Sequence, residues 1–329
     1  MNKYKSKITP ILLKLAEKYN AEFHVMDHDS DAGYIVGQDH SRHYFSYGTL
    51  DLNNDAATDF ARSKILSSEV VSAIRIRVPK EKMVKFSINL KAPIISVLEE
   101  IGTPAIIKPV HGAQGKNIFK IDSLNNFELV IKNNDLRDDL IIQEYIDSPN
   151  EIRVVLLDGE VIQAYKRDYA CVIGDAVKTI KELIEEKNKY FQNRQRNTVI
   201  DTNDTQIAVI LQQRGYDLNY ILQKNERLNI SYGRNLSRGG EYEFITKLSP
   251  IIIEVSKKIA EASALRLVGI DLFVVGDLDH VESENQIIFI EYNASPDMEN
   301  NFYYDAGYEQ QLFLIYEKIF SGMCKYSLL

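Results

Sequence analysis

The chain has 329 residues, 45% of them apolar, and carries 39 Lys and Arg against 47 Asp and Glu, a formal net charge of −8. These values fit a globular protein with a large core and argue against a nucleic-acid partner, which needs a basic field along the phosphate backbone. No apolar run approaches the length that spans a bilayer, residues 1–7 lead into no signal-peptide core, and the two cysteines lack a CxxC spacing, so a cytoplasmic protein without membrane attachment is expected.

Tyr4, Ile8, Ile11, Leu12 and Leu15 fall at helical spacing over residues 4–19. Short strands are expected at 21–25, 33–37 and 43–50. His24 with His28, and His40 with His43, have the spacing of metal ligands, but nothing completes either set, which leaves surface or packing roles. Residues 55–66 have a helical pattern, and 73–78 form an expected strand closed by Pro79.

The stretch from Thr103 to Ile121 is more informative. An apolar strand delivers Lys108, and Gly112 and Gly115 then punctuate a tight turn before a second strand. Glycine lets backbone N–H groups approach an anion, so a flap with Lys108 and Lys116 at its ends suits a triphosphate. The GxxxxGK[ST] spacing of a P-loop is absent.

Residues 140–146 are a strand and 147–150 a turn, followed by a hairpin of 151–157 and 160–167 about Asp158-Gly159, a pair favoured in type I′ turns. Arg153, Lys166 and Arg167 are expected to converge from its two strands on an anionic substrate. Helices are expected at 178–191 and at 204–214, the second stopped by Gly215. A polar loop follows at 233–240. Ser249-Pro250 then opens a helix running to Leu265, and a last helix spans 308–320.

Between those two helices lie the runs Val268 to Val275 and Gln286 to Asn293, both apolar and β-branched. Asp271 interrupts the first, Glu291 and Asn293 the second, and strand alternation puts Glu291 and Asn293 on one face. Joined as a hairpin with Val275 opposite Gln286, they set Asp271 across from Ile290. Two carboxylates and an amide in an apolar hairpin are costly to bury unless a cation sits on them. Hard oxygen donors of this kind suit Mg²⁺, which is held by one or two carboxylates together with nucleotide phosphates.

Taken together, the segments Lys108 to Lys116, Val172 to Ile184, Asn235 to Gly240, Val268 to Asp271 and Glu291 to Pro296 resemble the ATP-grasp superfamily. Within it, they are most similar to the ATP-grasp modules of cyanophycin synthetase, bifunctional glutathione synthetase and N-acetylglutaminylglutamine amide synthetase. The resemblance covers about residues 53–320 and implies an α+β fold, two subdomains gripping ATP. Residues 1–53 would be a short N-terminal segment, 54–139 the first subdomain with its glycine flap, and 140–329 the second, with a helical insertion at about 176–230.

The same resemblance implies Lys64 and Lys108 on the ATP phosphates beneath a flap of Gly112, Gln114, Gly115 and Lys116. It implies Gln143, Glu144, Tyr145 and Ile146 along the adenine and Glu151 at the ribose. Asp271, Glu291 and Asn293 would hold two Mg²⁺ ions, for which Mn²⁺ can substitute. Arg153 and Arg167 would lie near the transferred phosphoryl group and the carboxylate substrate, and Asn235 and Gly240 in a loop closing on the acyl intermediate. The implied activity is ATP-dependent joining of a carboxylate to an amine on an amino acid or small peptide, through an acyl phosphate, in a possible homo-oligomer. Ser63 stands where Asp commonly precedes the lysine, Gln143 where Glu is frequent, and the N-terminal segment is short. Those departures keep two other readings open, a non-catalytic ATP-binding partner subunit and an ATP-grasp phosphotransferase. Asn300 to Tyr304, just after the acidic strand, is a candidate acceptor wall.

Overall fold

The computed structural model describes residues 4–47, 49–87, 90–110, 117–124, 127–128, 130, 138–194, 196, 198–298 and 307–324. The expected flap residues Gly112, Gln114, Gly115 and Lys116, and the stretch 300–304, lie outside them.

The chain opens with α1 (Ile8–Lys18), which buries Ile8, Ile11, Leu12 and Leu15 as their spacing requires. An antiparallel meander follows, β1 (Glu22–Asp27), β2 (Ala32–Val36), β3 (Arg42–Ser46) and β4 (Thr49–Leu50), so the expected strand at 43–50 is two strands. His24 stacks on Tyr34 and contacts Glu22, and His43 lies beside Ser41 and Asp51, the packing and surface roles expected of them.

The next region departs from expectation. α2 (Asp55–Arg62) ends at Ser63, whose hydroxyl accepts from Leu66 N and starts α3 (Lys64–Ala73); the expected strand at 73–78 is instead the end of this helix, a turn and an extended segment. Val71 lies one helical turn beyond Ser67 and is buried with it, while Arg77 keeps a single sheet-like bond, accepting from Phe289 N. The departure at Ser63 is locally neutral, because Ser caps a helix as well as Asp does.

A four-stranded antiparallel sheet comprises β5 (Glu81–Val84), β6 (Ala105–Pro109), β7 (Phe119–Ile121) and β8 (Leu140–Glu144) in the order β5-β8-β6-β7. α4 (Lys91–Ile101) packs Ile94 and Leu98 on the face formed by Ile107, Phe119, Leu140 and Ile142. The opposite face carries Lys108, Gln143 and Glu81.

The central sheet has five antiparallel strands. Its members are β9 (Asn150–Leu157), β10 (Glu160–Asp168), β13 (Glu241–Phe244), β14 (Leu267–Val274) and β15 (Ile287–Asn293), ordered β13-β10-β9-β14-β15. Asp158 and Gly159 join β9 to β10 with φ of 49° and 80°, the positive pair a type I′ turn needs. Between β10 and β13 a ribbon of β11 (Cys171–Ile173) and β12 (Arg227–Asn229) packs with α5 (Ile180–Asn193) and α6 (Thr205–Gln213) around Leu183, Phe191 and Ile207. A capping box of Thr179 and Glu182 starts α5.

One face of the central sheet, Ile152, Val154, Ile270 and Leu272, is sealed by α7 (Pro250–Ser263) and by Val71 of α3. Each such fully buried side chain contributes about 1.5–3 kcal/mol. The other face is divided. Val155, Leu157, Tyr165 and Leu267 lie under α1, the meander and α8 (Tyr308–Cys324). Beyond the edge of that cover the same face turns polar. No helix among the described residues is long and apolar enough to cross a membrane.

Candidate functional site

Register builds the polar end of the face. Arg153 of β9 lies directly opposite Asp271 of β14, and Glu151 opposite Arg167 of β10. Asp271 in turn lies opposite Glu291 of β15, not Ile290, because a bulge makes Leu272 pair with Phe289 and leaves Ile290 as an extra residue. That extra residue keeps Phe289 and Tyr292 both in the core while turning Glu291 and Asn293 to the polar face. Lys166 pairs with Ile152 and so belongs to the sealed face; the expected convergence of three cations reduces to Arg153 and Arg167.

Asp271 is fully buried. Arg153 holds it with a two-pronged contact, Nε to Oδ1 at 2.6 Å and Nη2 to Oδ2 at 2.7 Å, and Arg167 Nη2 reaches Oδ2 at 2.5 Å. Burial alone would push the Asp271 carboxyl up, but the two guanidinium groups hold it below the usual carboxylate range. Glu151 pairs with Arg167 Nη2 at 2.7 Å, and there burial prevails and pushes its carboxyl up against Arg167 and Arg234. Adjacent acids thus differ because one is forked by two cations and the other is not.

The second sheet supplies a chain of polar contacts. Lys108 Nζ donates to Gln143 Oε1 at 3.1 Å, and Gln143 Nε2 donates to Glu81 Oε2 at 2.6 Å. Burial pushes the Lys108 ammonium down, opposed by Glu81 and Glu291, while nearby Lys64 adds to the fall. Glu291 belongs to the other sheet, so the two sheets face one another across this cluster. Lys64 enters it at the first turn of α3, and that position follows from the Ser63 cap.

Not every expected residue joins the cluster. Glu144 lies on the opposite side of β8 from Gln143, accepting from Lys80 N and pairing with Arg77. Tyr145 has Lys120 Nζ 4.3 Å above its ring, and burial pushes its hydroxyl up to about 12. Ile146 is half-buried, its carbonyl accepting from Ser148 N. Asn235 Oδ1 accepts from Ser237 N and Oγ, capping a short 3₁₀ turn. Gly240 is fixed by backbone approach: a Cβ there would lie 2.8 Å from Asn235 O and 2.9 Å from Asp168 O.

Two functional candidates escaped the sequence. Arg234, next to Asn235, is buried, bonds Ser148 O through Nη2 at 2.6 Å and lies over the Tyr169 ring at 4.4 Å. Its proximity to Glu151 needs the loop's path, which no local pattern reveals. Glu81 sits on an edge strand whose Glu-Lys-Met-Val run has no clear alternation. Arg234 Nε and Nη1 and Arg167 Nε are buried donors with no hydrogen-bond partner among the described residues, which fits an arriving anion.

For a divalent ion, Glu291 and Asn293 share a face with Asp271, and both are partly accessible. Three contacts occupy Asp271, leaving about one of the four lone-pair sites of an ionised carboxylate. The donor chemistry fits Mg²⁺ with Glu291 and Asn293 foremost and Asp271 in support.

Residues 61–208 match the model of the RimK-like ATP-grasp domain. The chain is 28% identical over 234 residues to cyanophycin synthetase of Synechocystis sp., an alignment covering 67% of this chain and 26% of the relative. It is 26% identical over 219 residues to a glutathione biosynthesis bifunctional protein of Streptococcus agalactiae, covering 64% and 29%. The chain therefore spans under a third of the length of these relatives. A bifunctional glutathione synthetase from Pasteurella multocida superposes with a TM-score of 0.57 at 16% identity, over 95% of this chain and 44% of that one, a likeness of fold.

Proposed function

We propose that this chain, whose residues 61–208 match the RimK-like ATP-grasp domain, is an ATP-dependent carboxylate–amine ligase that forms an amide bond on an amino acid or small peptide through an acyl phosphate. The observation that carries the reading is the position of Lys108 within the field of Glu291 from the facing sheet, with Lys64 beside it and Arg153, Arg167 and Arg234 on the floor.

A carboxylate resists attack by an amine because its oxygen is a poor leaving group. The γ-phosphorus gains a bond to the carboxylate oxygen as its bond to the β-phosphate oxygen breaks. The amine nitrogen then bonds to the carbonyl carbon, phosphate departs with the electron pair, and the nitrogen loses a proton. Phosphoryl transfer of this kind depends on charge neutralisation in line more than on acid–base groups. Lys64 and Lys108 bind the phosphates, Arg167 and Arg234 offer unpaired N–H groups to developing charge, and Arg153 holds Asp271 in place. Glu291, Asn293 and Asp271 would hold Mg²⁺, which would supply neutralisation of the triphosphate's negative charge. Glu151 takes the ribose hydroxyls, Tyr145 and Ile146 the adenine, and the 233–240 loop excludes water from the acyl phosphate.

Hydroxylamine tests this directly, since a ligase converts its acyl phosphate to a hydroxamate. With a panel of amino acids and ATP-Mg²⁺, the native chain yields hydroxamate and ADP together, and Glu291→Gln yields neither. Full hydroxamate formation by Glu291→Gln would remove Glu291 from the metal set, and ADP release without hydroxamate would move the protein to the phosphotransferases.

A further inference from the structure

Beside Asn293 a cavity of about 690 Å³ opens between the N-terminal meander and α2. We infer that this groove is the subsite for the amine-bearing acceptor, and that the acceptor is a peptide-sized molecule with a free ammonium group; the inference rests on the ligase reading and deepens it.

The two faces of the meander have different tasks. Ile35 and Phe45 point into the core against α1 and α8. Ala32 lies opposite Ser46, and Ser46 opposite Thr49, so these three small residues share the other face and leave the space open. The opposing wall is α2, and the inner end is Asn293 to Ser295, continuous with the strand that carries Glu291. Asn53 fixes the walls to one another: its Oδ1 accepts from Arg266 N and Leu267 N, and its Nδ2 donates to Leu267 O and Ala294 O. Thr49 Oγ1 also meets Ser295 Oγ at 3.4 Å. The N-terminal meander is thus built onto the central sheet as one wall of a site.

Size and charge identify the occupant. The volume lies within the roughly 300–1,000 Å³ range of drug-sized ligands, which suits a short peptide better than a single amino acid. Asp51 and Asp55 line the groove with Arg62, its positive group; Asp59 pairs with Arg62 at 2.8 Å, and Asp51 Oδ1 lies 3.4 Å from His43 Nδ1. Asp51 is aimed by Tyr44 N, which donates to its Oδ2 at 2.8 Å. The anionic reactant belongs at the Arg153 and Arg167 end, so the carboxylate-lined end receives the partner that arrives as an ammonium and attacks as an amine.

The test compares acceptors that do and do not need the groove. The full chain is given ATP-Mg²⁺, a panel of amino-acid carboxylates, and either hydroxylamine or trialanine amide as acceptor, and each product is quantified by mass spectrometry. Ser46 is exposed, so Ser46→Trp fills the groove without disturbing the core. It is expected to lower the ratio of trialanine-amide product to hydroxamate about tenfold or more. Asp55→Asn should raise KM for trialanine amide about two- to fivefold at low salt, with little difference at high salt and no change in KM for ATP. N-acetyltrialanine amide, lacking the ammonium, should not compete. An unchanged product ratio in Ser46→Trp with hydroxamate still formed overturns the groove assignment and leaves the ligase reading intact. No hydroxamate from the native chain with any carboxylate overturns the ligase reading, and the groove assignment with it.

Discussion

In the five-stranded sheet the fully buried Asp271 is answered by two guanidinium groups at hydrogen-bond distance, whereas in the four-stranded sheet the buried Lys108 has an amide as its direct partner and reaches carboxylates only at longer range. Among the described residues, the charge of Asp271 is met at contact distance by opposite charge, whereas that of Lys108 is not. A satisfied buried charge holds the scaffold, because removing either partner strands the other in a medium that cannot solvate it. An under-compensated buried cation stores binding capacity for an anion that has yet to arrive. On the proposed reading the two sheets therefore contribute differently to one site, one as a fixed floor and one as a receptor for phosphate.

Asp271→Ala breaks the floor and should have the largest effect. With Arg153 left buried and unanswered and Arg167 left with Glu151 alone, it should cost about 3–5 kcal/mol of stability, read as a lower urea midpoint with an unchanged slope. A midpoint equal to that of the native chain would mean that the guanidinium groups find other partners and that the floor is not fixed by Asp271.

Lys108→Met attacks the other side of the comparison. Deleting an under-compensated cation should leave the urea midpoint unchanged or slightly higher, while kcat/KM for ATP falls roughly 10²–10³-fold, the usual loss when one preorganised charge-stabilising donor is removed. Loss of stability on the scale of Asp271→Ala would erase the distinction between the sheets.

Most of the floor was legible because strand alternation is local: Glu151 with Arg153, and Glu291 with Asn293, share a face whatever their neighbours do. The meeting of Asp271 with Glu291 was not, since it depends on a one-residue bulge at Ile290 that shows only when the partner strand is in place. Counting along a regular hairpin gave the wrong opposite residue for that reason. Ile74, Ile76 and Val78 suggested a strand over 73–78, but the Ser63-capped helix runs to Ala73, and the segment after it keeps one sheet-like bond, from Phe289 N to Arg77 O. Glu81 and Arg234 were missed because each enters the site through tertiary placement, the first on a short edge strand and the second at a loop bend. The groove beside Asn293 could not be foreseen either, as it arises from docking of the meander through Asn53.

The smallest expected effect is also the most specific to Lys108. Burial lowers its folded-state pKa below the ordinary lysine value, so the folded chain releases this proton before the unfolded chain does. Between those two values stability rises with pH, because the unfolded state binds more protons. Phosphate binding runs the other way, since only the ammonium form attracts the triphosphate. The profile of kcat/KM for ATP, which reports the free enzyme, should therefore bend downward below the usual lysine pKa of about 10.4, in a range where the urea midpoint is steady or rising. Lys108→Arg keeps the positive charge across that range, so its profile should lose the bend while the native chain retains it. If both proteins lose activity at the same alkaline pH, the limb belongs to another group and the field of Lys108 is not what draws the nucleotide to this sheet.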